Sequence, residues 1–409
     1  MRYLFVHQNF PGQFLHLLRH LVAEGGHELV FVSEANDNRM RGVRKVLYQL
    51  DRAPRPGDQC ATHRDAREFE LAMLRAAAVA ATASQLRALG YAPDIIVGHH
   101  GWGELLNLHD VWPGVPLLGY HEFHYATSGL DVNFDPEFPT PAAAFPRIRA
   151  RNAVNLLALT NPGHGQTPTR FQRGTYPIWA QPGIALVPEG VDLDACRPDS
   201  AVRAAPFALG GFQVAPGDTL VTYVARDLEP YRGFHVVMRA LPALLRERPD
   251  LRAVLVGGDG VSYGARLAEG TWRERMVAEV GALDPDRVHF PGKLAYADYI
   301  RLLQRSDAHV YLTYPFVASW SLREALACGC AVVASDTAPV REFVTDGATG
   351  RLTPFLDPMQ LAGRVLETLE DRDRTETIRA AARGWAETHL RLSDHVAAYA
   401  ALVSQLVHA

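Results

Sequence analysis

Lysine is almost missing. Lys45 and Lys293 are the only two, so nearly all of the 41 basic side chains are arginine, a pattern that reads as coding bias in an alanine-rich chain before it reads as chemistry. The 45 acidic residues outnumber them, and the net charge of −4 leaves no overall basic footprint for nucleic acid. Cysteine is nearly as sparse. Cys60, Cys196, Cys328 and Cys330 are the four, and Cys328-Gly329-Cys330 is too tightly spaced for a metal pair and has no second pair to complete it. Small buried thiols in a reducing compartment are the expectation. No apolar run reaches the roughly 18 residues that span a bilayer, and Met1-Arg2-Tyr3-Leu4-Phe5-Val6-His7 turns polar too early for a secretory leader. A soluble cytoplasmic protein is therefore expected. A GxxxxGK[ST] phosphate loop is also absent, which argues against an ordinary NTPase, and there is no HExxH to make the histidine clusters a metal site.

What is present is a chain of 409 residues, 48% hydrophobic and 21% charged, long enough for two or three domains of roughly 100–200 residues each. Short β-rich runs at 3–6, 29–32, 94–97 and 117–120 alternate with helical patterns at 14–24 and 66–89. A second series of runs lies at 219–224, 253–256, 288–290, 309–312 and 331–335. Strand–helix alternation predicts parallel sheets covered on both faces, here an α/β chain of two doubly wound Rossmann-like domains. The boundary is expected near 195/196, where a Pro-, Ala- and Gly-rich stretch at 196–217 reads as a linker. A proline-rich insertion falls at 131–146, and the tail from 373 reads as helical throughout. A ligand is expected in the cleft between the domains, at carboxyl strand ends.

Several strand ends carry residues suited to an anion. After the run at 219–224 come Arg226 and Arg232, guanidinium groups matched to phosphate oxygens unless they pair with Asp227 or Glu229. Val256-Gly257-Gly258-Asp259-Gly260 closes another strand with a glycine-rich turn, and Lys293 follows Pro291-Gly292 after a third. A helix starts near Ser319-Trp320-Ser321-Leu322. Ser321 with Glu324 fits a capping box, whereas the same helix start with free N–H groups would bind phosphate. In the first half, Gly12 follows His7-Gln8-Asn9, and His99-His100-Gly101-Trp102 and His121-Glu122-Phe123-His124 follow later strands. The basic stretch from Arg39 to Lys45 reads as a solvated face, with peripheral contact to anionic lipid as the alternative.

Taken together, these segments resemble the retaining glycosyltransferases of family 4. Ser321-Leu322-Arg323-Glu324-Ala325-Leu326-Ala327-Cys328-Gly329 followed by Val332-Val333-Ala334-Ser335, then Asp346-Gly347-Ala348-Thr349-Gly350, is similar to that family's second-domain signature. Val187-Pro188-Glu189-Gly190-Val191-Asp192 is similar to the end of its first domain. The resemblance implies a GT-B fold: an acceptor domain at 1–195, a nucleotide-sugar donor domain at 196–385, and a helix at 386–409 crossing back to the first domain. It implies sugar transfer from a nucleotide-diphosphate sugar, taken as a UDP-sugar, with no metal and no resident cofactor. The acceptor stays open among a glycan, a lipid-linked sugar, a small metabolite and a protein.

By resemblance, Glu324 binds the donor ribose and Arg226 and Arg232 the diphosphate. Gly258, Lys293 and Leu294 line the donor pocket, the last two in the turn that holds the base. Backbone N–H groups at Ser319, Trp320, Ser321 and Leu322 face the β-phosphate and sugar, Gly12 approaches the phosphates, and His121 stands near the reacting sugar. Phe316 departs from the pattern, because it stands where the family carries a first glutamate and a phenyl ring accepts no hydroxyl hydrogen bond. The competing readings are a GT-B epimerase or hydrolase, whose extra carboxylates would be Glu122, Glu104 or Asp131, and a non-catalytic nucleotide-sugar sensor.

Overall fold

The computed structural model describes residues 1–51 and 62–408, so Cys60 lies outside the described residues. In strand β1 (Arg2–Val6) the side chains alternate between two buried clusters. Tyr3 and Phe5 join one and Leu4 and Val6 the other, as expected of an inner strand with both faces covered. The remaining strands of its sheet are β2 (Glu28–Ser33), β3 (Val43–Leu47), β4 (Ile95–His99), β5 (Leu117–Tyr120), β6 (His164–Thr167) and β7 (Ile184–Leu186). They lie in the order β3-β2-β1-β4-β5-β6-β7, every neighbouring pair parallel. One face packs on the helix Leu15–Glu24 through Leu17, Leu18 and Leu21, and the other on Arg67–Ala88 through Val79, Ala83 and Leu86.

The chain then forms a two-residue hairpin, β8 (Phe207–Leu209) with β9 (Phe212–Val214), turning at Gly210-Gly211 with Gly210 at φ +61°. This hairpin occupies the stretch read above as linker. The short alternation Phe207, Leu209, Phe212, Val214 buries against Leu220, Val254 and Leu302, a pattern too brief to stand out in a Gly-rich run. The second parallel sheet comprises β10 (Thr219–Asp227), β11 (Leu251–Gly258), β12 (Val288–Gly292), β13 (Ala308–Tyr311), β14 (Val332–Ser335) and β15 (Arg351–Thr353), in the order β12-β11-β10-β13-β14-β15.

Two compact units result, Met1–Glu189 with the segment from Ser393 onward, and Gly190–Leu392. The divisions at 189/190 and 392/393 replace those expected at 195/196 and 385/386. The reason is local: Val191 N–H donates to Leu390 C=O at 2.8 Å and Val191 bridges Arg391, so both connecting segments run side by side within the second unit. The tail is accordingly not one helix. Arg372–His389 ends there, and Leu392–Val407 packs Tyr399, Val403 and Leu406 into the core of the first unit.

The basic stretch is partly strand. Its Lys45 Nζ bonds Asn36 Oδ1 at 2.7 Å and the Asn36 carbonyl at 2.6 Å, which commits that ammonium to its own loop rather than to a surface patch. Among the described residues no helix is long and apolar enough to cross a membrane.

Candidate functional site

The order in which strands are laid down reverses once in each sheet, and open α/β sheets bind ligands at the carboxyl ends flanking such a switch. In the second unit the switch lies between β10 and β13. Arg232, in the turn after β10, is 6% exposed. Its Nη1 donates to Thr313 Oγ1 at 2.6 Å and to the Val317 carbonyl at 3.0 Å, and its guanidinium lies 4.8 Å from the centre of the Tyr263 ring. Among the described residues no carboxylate comes within ion-pair distance of it. A buried cation held only by neutral partners favours an arriving anion, because its own desolvation has already been incurred.

The surface-pair alternative for these arginines fails on inspection of their neighbours. Glu229 is fully buried and makes no direct ion pair with them, although the Arg232 charge is felt at its carboxyl. Its carboxylate accepts the N–H groups of Ser262 (3.0 Å), Tyr263 (3.1 Å) and Gly264 (2.8 Å), fixing the loop that follows β11. Burial raises its pKa and those three backbone donors pull it back. Asp227 accepts from Ser262 Oγ at 2.5 Å and faces Lys293 Nζ at 3.6 Å. Gly258 closes β11 at the same spot, where a Cβ would stand 2.7 Å from Asp227 Oδ1 and from Lys293 Cε. Arg226 is exposed, 5.9 Å from the Tyr263 ring centre, with no ion-pair partner among the described residues.

The helix Trp320–Ala327 begins beside Arg232's partner Val317, and its N-cap Ser319 makes no side-chain cap bond. The capping-box reading of Ser321 and Glu324 is therefore corrected; such a box occurs instead at Thr271 and Glu274. Ser319 Oγ bonds Ser321 Oγ at 2.5 Å. The backbone set is also narrower than expected, since Ser319 N–H donates to Tyr311 Oη (2.8 Å) and Leu322 N–H to the Ser319 carbonyl (3.3 Å), while Ser321 N–H has no acceptor among the described residues. Leu322 itself is core, and Leu294 is partly buried against the same cluster.

Glu324, one turn on, accepts Tyr296 Oη at 2.9 Å and Tyr299 Oη at 2.8 Å. Burial raises its pKa, partly countered by those two hydroxyls. Phe316 is buried with its ring 5.4 Å from both Tyr231 and Tyr263, so an aromatic wall stands where the resemblance would put a carboxylate. Tyr231, Tyr263, Tyr296, Tyr299 and Thr313 were not legible as site residues, because tyrosine and threonine at strand ends carry no spacing signal.

The first unit's switch lies between β1 and β4, at His7 and His99, whose ring centres are 5.7 Å apart. Gly12 has φ +55°, and a Cβ there would meet His7 Nδ1 at 2.9 Å, so the loop closes over that imidazole only without a side chain. His121 follows β5, 2% exposed, its ring 4.7 Å from that of His100. Gly119 makes room for that pair, since a Cβ there would stand 1.8 Å from His100 Cδ2. Burial, with His99 nearby, lowers the His121 pKa to about 3, and burial drives His100 well below its ordinary range. Both rings are neutral near pH 7. Glu104 is fully enclosed behind Tyr48, whose hydroxyl donates to it at 2.8 Å, so it is no candidate for acid–base work on a ligand.

Two Rossmann-like units with a candidate site at each switch point define the GT-B class of fold. Solved structures agree: sucrose-phosphate synthase from Thermosynechococcus elongatus superposes with a TM-score of 0.73 at 20% identity, covering 99% of each chain. HepE of Anabaena in complex with UDP and glucose superposes with a TM-score of 0.69 at 19% identity, covering 99% of this chain and all of that one. Residues 25–196 match the family described as glycosyl transferase family 4 group, and residues 212–385 match glycosyl transferases group 1. The chain belongs to the group 1, family 4 glycosyltransferases.

Among curated relatives, a D-inositol 3-phosphate glycosyltransferase of Streptomyces scabiei is 31% identical over 300 residues, 71% of this chain and 62% of that protein. The similarly named protein of Thermobispora bispora is 28% identical over 361 residues, 85% of this chain and 76% of that one. A GDP-mannose-dependent alpha-(1-6)-phosphatidylinositol monomannoside mannosyltransferase of Mycolicibacterium smegmatis is 29% identical over 236 residues, 53% of this chain and 56% of that one.

Proposed function

We propose that this protein transfers a sugar from a nucleotide-diphosphate sugar to an acceptor hydroxyl with retention at the anomeric carbon. The observation that carries the reading is the buried Arg232 guanidinium, partnered by neutral groups alone, beside a helix start that lacks a side-chain cap. As the bond from the anomeric carbon to the diphosphate breaks, its electron pair passes to the phosphate oxygen. Arg232, Arg226 and the Ser321 N–H meet that growing charge, and burial makes the contribution of Arg232 the largest. The acceptor oxygen bonds to the anomeric carbon from the face the diphosphate leaves, and its proton passes to the departing phosphate. The state between is oxocarbenium-like, as in glycoside hydrolysis.

Glu324 is assigned to the ribose hydroxyls, reached by exchange with the Tyr296 hydroxyl. Gly258, Lys293 and Leu294 are assigned to the base side, Gly12 to the phosphates and the neutral His121 to a hydrogen bond near the sugar. We take the base as uracil, supported by HepE, a protein of the same fold, in complex with UDP and glucose; the GDP-mannose-dependent relative makes guanine the alternative. Charge stabilisation by arginine and backbone leaves no step that requires a metal.

A screen of UDP-, GDP- and ADP-sugars by calorimetry, followed by product analysis with and without acceptors, tests this reading. Efficient donor hydrolysis or epimerisation with no acceptor present would overturn it in favour of the epimerase or hydrolase. Tight donor binding with no turnover over a broad acceptor panel would overturn it in favour of a sensor.

A further inference from the structure

The carboxyl edge around β1 and β4 has a chemistry of its own. His99 lies at the end of β4 with its ring stacked near those of Trp102 (5.7 Å, 28°) and Tyr120 (5.3 Å, 29°), and Trp102 is 37% exposed. His99 Nε2 lies 3.4 Å from Glu122 Oε2. Across the edge, Glu34 follows β2 and accepts Arg75 Nε at 3.0 Å and the Tyr48 hydroxyl at 3.2 Å. The neighbouring cations are similarly engaged: Arg147 and Arg151 are both drawn to Glu68, at 2.6 and 2.7 Å. Burial, then the neighbouring His99, brings the His7 pKa down to about 3, so that imidazole is uncharged near pH 7.

A phosphorylated ligand needs cations or a cluster of N–H donors. This edge presents the Glu34 and Glu122 carboxylates, the neutral His7 imidazole and an indole face instead, and its Arg75 guanidinium is already bound to Glu34. Carboxylates accept hydroxyl hydrogen bonds, and an aromatic face covers the C–H surface of a sugar or cyclic polyol. We propose that the acceptor is an uncharged polyhydroxylated molecule, a sugar or polyol without a phosphate, seated at this edge against Trp102 and hydrogen-bonded to Glu122 and Glu34. The proposal rests on the transferase reading above and departs from the phosphorylated substrate in the relatives' names.

The test compares initial rates of transfer, using the best donor of the screen, to free glucose, mannose and myo-inositol and to the monophosphate ester of each. The uncharged acceptors are expected to react with kcat/KM higher than their esters on the order of tenfold or more, since a phosphate here meets like charge. Glu122→Gln should narrow that ratio. Trp102→Ala should raise KM for the uncharged acceptor while donor affinity, read by calorimetry, stays unchanged. A role for Trp102 in folding alone would move the thermal midpoint and donor affinity together and would count against the proposal. Preference for the phosphate esters, or a ratio that Glu122→Gln leaves unchanged, overturns this proposal alone. Failure to transfer to any acceptor overturns the transferase reading and this proposal with it.

Discussion

The two switch points share a topology and differ in charge. Beside β10 and β13 stand a buried guanidinium, an exposed arginine and a backbone N–H with no acceptor among the described residues, and the nearby carboxylate Glu229 is committed to backbone donors. Around β1 and β4 the buried His7, His100 and His121 imidazoles are neutral, and the charged groups are mainly carboxylates. One doubly wound scaffold thus offers an edge suited to a diphosphate and another suited to hydroxyls. The difference lies in a handful of residues after strand ends, which a parallel sheet tolerates freely because its core does not depend on them.

The comparison breaks most visibly at Arg232. Arg232→Ala should lower kcat on the order of 10²–10³-fold, the loss of one charge-stabilising donor in a dry site. Thr313→Val should reproduce part of the effect, because it removes the hydroxyl that aims the guanidinium. Steady-state kinetics at saturating donor, alongside a thermal midpoint to confirm folding, decide this. Near wild-type kcat/KM in both variants would remove the diphosphate role. Arg226→Ala should cost less, since that side chain is exposed and screened.

Acid should separate the two units next. His7, His100 and His121 all have folded pKa values below the ordinary 6.5, and Glu104 has one raised by burial to about 7 from an ordinary 4.5. Between those ordinary values the unfolded chain binds three protons on imidazoles that the folded chain refuses, and the folded chain keeps one on Glu104. The first unit therefore loses stability as pH falls below 6.5, by roughly 1–3 kcal/mol per pH unit at most. In the second unit burial lowers His309, to about 4, and His289, and the raised Glu229 and Glu324 oppose them. Urea unfolding at pH 7 and pH 5, followed through tryptophans of each unit, should show the first unit's transition moving further. Equal movement would show that the buried histidines do not control it.

Glu324→Ala should act mainly on binding, raising donor KM more than it lowers kcat, because ribose contacts change little as the glycosidic bond breaks. A kcat loss comparable to that of Arg232→Ala would place Glu324 among the charge-stabilising groups instead. The smallest expected effect is that of EDTA, which should leave turnover unchanged. Loss on chelation that Mg²⁺ or Mn²⁺ restores would show that arginine and backbone do not suffice.

Much of the second site was legible because the signature around Ser321–Ala327 ties a strand end, a turn and a helix start together in one contiguous stretch. The capping box there was not decidable from spacing: serine and glutamate three residues apart are compatible with both a cap and a ligand contact, and the structure removes the cap, because Glu324 accepts two tyrosine hydroxyls from the preceding helix instead. Strands β3, β6, β7 and β15 escaped the periodicity. They are short, and three of them carry arginine, lysine, histidine or glutamine, which hydropathy hides; β3 and β15 are edge strands, whereas β6 lies inside its sheet.

The sequence by itself determined the α/β alternation, the two-unit plan and the family, since these follow from local periodicity and from motifs whose residues are neighbours in the chain. Only the tertiary structure decided that Arg232 is buried with no ion pair among the described residues, that Glu229 is engaged by backbone N–H groups 33–35 residues away, and that the helix from Leu392 is part of the first unit's core. The physical reason is the same in each case. Desolvation, pairing and burial are properties of what surrounds a side chain, and in a parallel sheet those surroundings arrive from strands and helices far apart in sequence.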